Sequence, residues 1–210
     1  MNYLASLIRL RQRGDDPESA VEAALSFFKC SRAEVEVRIL SPGRQGVLGF
    51  GRRDAEVEVA LVDRAYIARH LCDLLLQKTG WLTEVTVSQS SNQIELQIES
   101  DSSAQIIGKH GQTLDALQFL VNSMTDRLCP GESLLLLDTG GYRQKRHSYL
   151  RSLASKLSAK VRSSGNRVTV EPLPHHERRL LHSFFNDQRG VSSASIGRGL
   201  EKRIVVTPEG

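Results

Sequence analysis

No uninterrupted apolar run in this 210-residue chain approaches the roughly 20 residues that span a bilayer, so no membrane helix is expected. Met1 to Leu10 holds a short apolar stretch, but Arg9, Arg11 and Arg13 follow and no small-residue cleavage pattern is present; the cytoplasm is the expected location. Cysteine is scarce. Cys30, Cys72 and Cys129 are odd in number and far apart, which argues against a disulfide framework and predicts free, buried thiols. Metal and catalytic constellations are lacking too. His175, His176 and His182 have no Cys, Asp or Glu at the spacing of a closed zinc site, and no motif sets a base beside an activated nucleophile. These absences point to a protein that is not an enzyme, with no catalytic residue, no metal and no cofactor.

What remains is ordinary globular composition, 40% hydrophobic and 25% charged, with room for three small domains. The net charge of +4 hides a strong asymmetry. Residues 1–62 carry nine Lys and Arg against nine Asp and Glu, residues 63–138 five against ten, and residues 139–210 fourteen against five. Attraction for a polyanion is therefore concentrated in the last third.

The most informative motif lies in the acidic middle. Ile106 to Thr113 reads Ile-Ile-Gly-Lys-His-Gly-Gln-Thr, a Gly-x-x-Gly between two apolar helical stretches, the second carrying Leu114, Leu117, Leu120, Val121 and Met124 at helical spacing. Two glycines let a chain turn sharply and approach a phosphate closely. Lys109 and His110 offer charge and hydrogen bonds, and the following helix turns its N-terminal N–H groups toward an anion. Such a loop resembles the backbone clamp of KH domains, with Ile107, Gly108, Lys109, His110, Gly111 and Gln112 as its contact residues. Around it the pattern predicts a helix over 63–79, a hairpin of 84–88 and 93–99, helices over 102–107 and 112–128, and a strand over 133–138. This αββααβ order resembles the type II, prokaryotic variety of KH domain.

Upstream, Asp15 or Asp16 caps a helix with Pro17 in its first turn and Ala20, Val21, Ala24, Leu25 and Phe28 on its apolar face. Strands over 35–39 and 55–59 alternate apolar and polar residues, and Ser6 to Gln12 is a candidate extra strand beside them. Between the two strands, Gly43 to Arg53 carries four glycines with Val47, Leu48 and Phe50; it reads as a structural hairpin or as an exposed recognition tip.

Downstream, a helix over 142–162 sets Leu150, Leu153, Leu157 and Val161 on one side and basic residues elsewhere, with Arg143, Lys145 and Arg146 opening a backbone-tracking surface. A strand over 167–171 precedes Glu177-Arg178-Arg179-Leu180-Leu181-His182. Arg178 and His182 stand at i and i+4, on one helix face, where a guanidinium holds a phosphate while an imidazole stacks on a base; Arg179 adds charge. The Arg-x-x-x-His helix and a closing strand over 203–206 resemble an R-three-H domain.

Three motifs in this order resemble the Jag family (KhpB type) of bacterial RNA-binding proteins. Arg44 to Gly51 is similar to the glycine-rich loop of its N-terminal domain, Gly108 to Gly111 to its KH loop, Tyr142-Arg143-x-Lys145-Arg146 to the start of its basic helix, and Glu177 to His182 to its R-three-H signature. The resemblance implies an α+β protein of three small domains: a Jag N-terminal α/β unit (1–62), a type II KH domain (63–138) and a basic helix with an R-three-H α/β domain (139–210). Ala60-Leu61-Val62 runs straight into the KH helix, without the long charged linker of many members. The implied activity is single-stranded RNA binding, with single-stranded DNA as the other nucleic acid. The implied role is post-transcriptional regulation linked to cell shape, cell-wall organisation or membrane-protein insertion, a chaperone among the functions in view. The partner expectations are a small stand-alone KH protein, a membrane-associated protein reached through the N-terminal domain, and a second copy in a homodimer. A different class, a protein-interaction scaffold with secondary nucleic-acid binding, is the competing reading.

Overall fold

The structure is a computed structural model that describes residues 3–44, 52–199 and 202–209. The chain forms two compact units, Met1–Gly140 and Gly141–Gly210.

In the first unit, a short helix α1 (Tyr3–Ser6) leads into strand β1 (Arg9–Gly14), helix α2 (Pro17–Phe28), strand β2 (Val35–Ser41) and strand β3 (Ala55–Leu61). The strands form an antiparallel sheet in the order β1-β3-β2. The extra strand is real but displaced toward the C-terminus from the expected Ser6 to Gln12, because Ser6 ends α1 and the alternation continues through Arg13. Asp16 caps α2 by accepting from the Glu18 and Ser19 amides, and Ser19 returns the bond to the Asp16 amide. Ala20, Ala24 and Phe28 of α2 then bury against Val57, Val59 and Leu61 of β3. Arg44 and Arg53 pair antiparallel at the base of the glycine-rich segment. Its tip, with Val47, Leu48 and Phe50, lies outside the described residues.

The same unit continues with α3 (Arg64–Gln77), β4 (Glu84–Gln89), β5 (Gln93–Glu99), α4 (Ser103–Ile107), α5 (Gln112–Leu128) and β6 (Leu134–Asp138). β4 pairs antiparallel and β6 parallel with the central β5, which gives the expected αββααβ topology. Gln118 of α5 ties the helix to the sheet by accepting the Leu137 amide at 3.0 Å. Helix α3 serves two cores. Ile67 and Leu71 join the buried cluster of the first sheet, Arg69 donates to the Phe28 carbonyl, and His70 Nε2 donates to the Leu7 carbonyl at 3.0 Å. Residues 1–62 and 63–138 therefore pack as one body, which is the physical counterpart of the missing linker.

The second unit comprises α6 (Tyr142–Ser164), β7 (Val168–Thr169), α7 (His175–Asn186), β8 (Val191–Ile196) and β9 (Arg203–Pro208), with an antiparallel sheet in the order β7-β9-β8. Leu150, Ala154 and Val161 of α6 pack with Leu181 and Phe185 of α7 and with Ile204 and Val206 of β9. β7 is shorter than the expected 167–171. Regular pairing gives way to one bond from the Val170 amide to the Ile204 carbonyl and an isolated bridge in which Leu173 and Lys202 exchange two bonds, since Pro172 and Pro174 have no N–H to continue a ladder. β8 had no counterpart in the sequence pattern: Val-Ser-Ser-Ala-Ser-Ile carries little hydrophobic alternation. All three cysteines are free. Cys72 is buried, which pushes its thiol up to about 12, while Cys30 and Cys129 are only partly buried.

Candidate nucleic-acid interface

The Gly-x-x-Gly loop is built by anchoring both ends and bending the middle. Ile106, at the end of α4, and Leu114, in the first turn of α5, are fully buried and anchor the loop at both ends. Gly108 takes φ +69° and ψ −173°, a conformation open essentially to glycine alone, and a Cβ there would lie 2.1 Å from Thr113 Oγ1. Gly111 is left-handed as well, at φ +83°. Between them His110 sits at φ +54° and ψ 26°, a left-handed residue with a side chain, which costs about 1–2 kcal/mol. Lys109 is exposed and His110 half-buried, while Gln112 is exposed at the start of α5. Among the described residues no side chain caps α5 at Gly111, and its positive end faces the loop with Lys109 beside it. Ile107, the remaining expected contact, is half-buried.

In the second unit the structure gives Arg178 and His182 different surroundings. Arg178, expected on an exposed face, is 6% exposed, and its Nη1 donates to the Leu173 carbonyl at 2.6 Å, closing the turn that precedes α7. Glu177 is also buried. It takes two parallel hydrogen bonds from Arg146, Nε to Oε1 at 2.6 Å and Nη2 to Oε2 at 2.9 Å, which raises the Arg146 pKa against the opposing effect of burial. Arg146, expected among the phosphate-tracking cations, thus clamps α6 to α7, with its guanidinium over the Tyr149 ring. Arg143 is half-buried, whereas Lys145 and Arg179 are exposed.

His182 stays at the surface, half-buried, and is held from both sides. Nδ1 lies 2.7 Å from Ser193 Oγ and Nε2 2.8 Å from Ser195 Oγ. Burial, and then the neighbouring Arg178 guanidinium, hold its pKa below the ordinary histidine value. The neutral ring has one N–H and one lone pair, so one serine accepts from it and the other donates to it. The ring plane is thereby fixed. Sequence reasoning did not foresee Ser193 and Ser195 as the partners of the ring, because β8 gave no strand signal, nor Glu177 as the partner of Arg146, although Glu177 stood in the motif. His175 and His176 are exposed, and no group of three or more His, Cys, Asp or Glu is placed to hold a metal among the described residues.

Comparison with known proteins follows this geometry segment by segment. Residues 13–61 match the Jag N-terminus family, residues 67–130 the KH domain of KhpA/KhpB, and residues 148–208 the R-three-H domain family. The chain is 29% identical over 201 residues to RNA-binding protein KhpB of Bacillus subtilis, covering 92% of this chain and 95% of that protein. It is 26% identical to RNA-binding protein KhpB of Clostridium symbiosum, covering 90% of this chain and 87% of that one. Against RNA-binding protein KhpB of Lactiplantibacillus plantarum it is 28% identical over 158 residues, 74% of this chain and 49% of the relative. Three domain matches in consecutive order, with similarity along nearly the whole length of two such proteins, make this chain a member of the Jag/KhpB family.

Proposed function

We propose that this protein binds single-stranded RNA through two separate surfaces and acts as a binding protein rather than an enzyme. The observation that carries the reading is the Gly108 to Gly111 loop, whose bend at Gly108 only glycine permits and which turns the positive end of α5 and the exposed Lys109 toward one point. A phosphodiester backbone fits that point. Gln112 adds an exposed amide and His110 a half-buried ring, with Ile107 supporting them. The second surface is the exposed part of α7 with β8, where Arg179 supplies charge and His182 a fixed ring for stacking on a base. Lys145 and the exposed cations farther along α6 track the backbone; Arg178 and Arg146 position this surface from beneath. The strong basic excess of residues 139–210 supports the assignment of long-range attraction to this unit.

The role in view is post-transcriptional regulation tied to cell-envelope growth or membrane-protein insertion, in the cytoplasm, with a small stand-alone KH protein as partner. No helix among the described residues is long and apolar enough to cross a membrane. Crosslinking the protein to RNA in cells and sequencing the recovered fragments tests the reading. Recovery of defined transcripts by the parent, and its loss in a folded Lys109→Asp/His110→Asp variant, is the expected result. Equal recovery by both would show that the loop is not the contact.

A further inference from the structure

The outer face of the first sheet carries charges that the RNA contacts do not use. β1 is an edge strand, paired only with β3 among the described residues. Leu10 packs toward the core with α2, so the alternate residues Arg9, Arg11 and Arg13 stand on the opposite face, their side chains 51, 63 and 72% exposed. Register sets Glu58 of β3 between Arg11 of β1 and Arg38 of β2. The Glu58 carboxylate lies 3.4 Å from Arg9 Nη1 and 3.3 Å from Arg11 Nε, while Arg38 makes no ion pair among the described residues. With Ala5 and Leu40, these side chains line a groove of about 680 Å3.

Three guanidiniums facing one carboxylate leave the groove short of negative charge. Leu40, 39% exposed, gives it an apolar wall. We propose that this groove binds an extended acidic segment of a protein partner, whose alternate Asp or Glu side chains meet Arg9, Arg11 and Arg38 and whose apolar residue rests on Leu40. Side chains on one face of a strand recur about every 6.7 Å, so arginines on β1 and carboxylates on an extended peptide share one repeat. The open edge of β1 offers main-chain groups to the same segment. Nucleic acid fits less well, since among the described residues no aromatic ring lines the groove for bases to stack on.

The test uses the full chain and three fluorescent probes followed by anisotropy: the peptide Glu-Val-Glu-Val-Glu-Leu, its counterpart Lys-Val-Lys-Val-Lys-Leu, and an oligouridylate. The acidic peptide should bind and the lysine peptide should not. An Arg9→Gln/Arg11→Gln/Arg38→Gln variant should weaken the acidic peptide at least about tenfold while holding oligouridylate affinity within about twofold. Glu58→Gln keeps the arginines and removes their internal competitor, so it should tighten the peptide; if the triple variant melts early, this second variant decides. Absence of acidic-peptide binding by the parent, unchanged binding in the folded triple variant, or no gain in Glu58→Gln overturns the proposal. Loss of oligouridylate binding with the peptide unaffected would make the face a nucleic-acid surface instead.

Discussion

Arg146 and Glu177, 31 residues apart, meet through two parallel hydrogen bonds of 2.6 and 2.9 Å, with the Glu177 side chain only 2% exposed. The pair joins the basic helix α6 to the helix that carries His182. It converts two charges that sequence would assign to solvent or to RNA into an internal brace, and it fixes the helix on which the proposed stacking ring stands.

Glu177→Ala leaves the Arg146 guanidinium without its carboxylate at a mostly buried site, and should destabilise the second unit by about 3 kcal/mol in denaturant unfolding. Replacing both partners, Arg146→Met with Glu177→Leu, should recover much of that loss. A single variant as stable as the parent would show that the pair contributes nothing net.

Arg178 and Arg179 should behave oppositely. Arg178→Ala removes a charged hydrogen bond to the Leu173 carbonyl and should cost about 1.5–3 kcal/mol of stability. Arg179→Ala should leave the melting curve unchanged and flatten the salt dependence of RNA binding by about one unit of slope. His182→Ala should remain folded, bind RNA more weakly by about 1–3 kcal/mol, and keep its salt slope.

The KH loop separates shape from charge. Lys109→Asp with His110→Asp should fold normally and lose at least about tenfold in RNA affinity, about 1.4 kcal/mol. Gly108→Ala drives a Cβ into Thr113 in a glycine-only conformation and should lower the melting temperature of the first unit. A Gly108→Ala protein that melts with the parent would show that the loop relaxes freely.

Two histidines make stability depend on pH in the same direction. Burial, ahead of the neighbouring Arg69, lowers the His70 pKa below 6.5, and burial followed by Arg178 lowers that of His182. The unfolded chain therefore binds protons first as pH falls. Their contributions are present in full above about pH 6.5 and are lost as pH drops through the folded values. Melting should be lower at about pH 5 than at about pH 7.5, and His70→Gln should reduce that difference in the first unit.

Charge and packing together dictate where the chain divides. Residues 141–210 alone should bind RNA with strong salt sensitivity, and residues 1–140 weakly at low salt. Residues 63–138 alone should be less stable than 1–140, because Ile67, Leu71, Arg69 and His70 would lose their partners in the first sheet. Tighter low-salt binding by residues 1–140 would reverse the assignment of electrostatic attraction.

The periodic elements were legible in the residues themselves. A cap at Asp15 or Asp16, the apolar face of α2, the alternation of β2 and β3, and the αββααβ order are local signals, and local hydrogen bonding and burial on one face enforce them, with Asp16 as the cap. β8 was not legible, because serine and alanine on a half-exposed strand carry almost no hydrophobic contrast. The broken pairing after β7 follows from Pro172 and Pro174, whose effect depends on a partner strand far along the chain.

Sequence by itself thus determined the order of elements, the two-glycine loop and the uneven charge, since each depends on residues close along the chain or on simple counting. Only the tertiary structure decided which cations face water. A guanidinium is buried or exposed according to the carboxylate or carbonyl that the fold brings opposite it. Glu177 claims Arg146, and the Leu173 carbonyl claims Arg178. Lys109, Arg179 and the Arg9 to Arg13 row stay at the surface because of the faces on which the loop, α7 and β1 place them. Packing α3 across both sheets likewise joined into one body what sequence motifs divide into two, because an apolar helix with more than one buried face needs more than one neighbour to cover it.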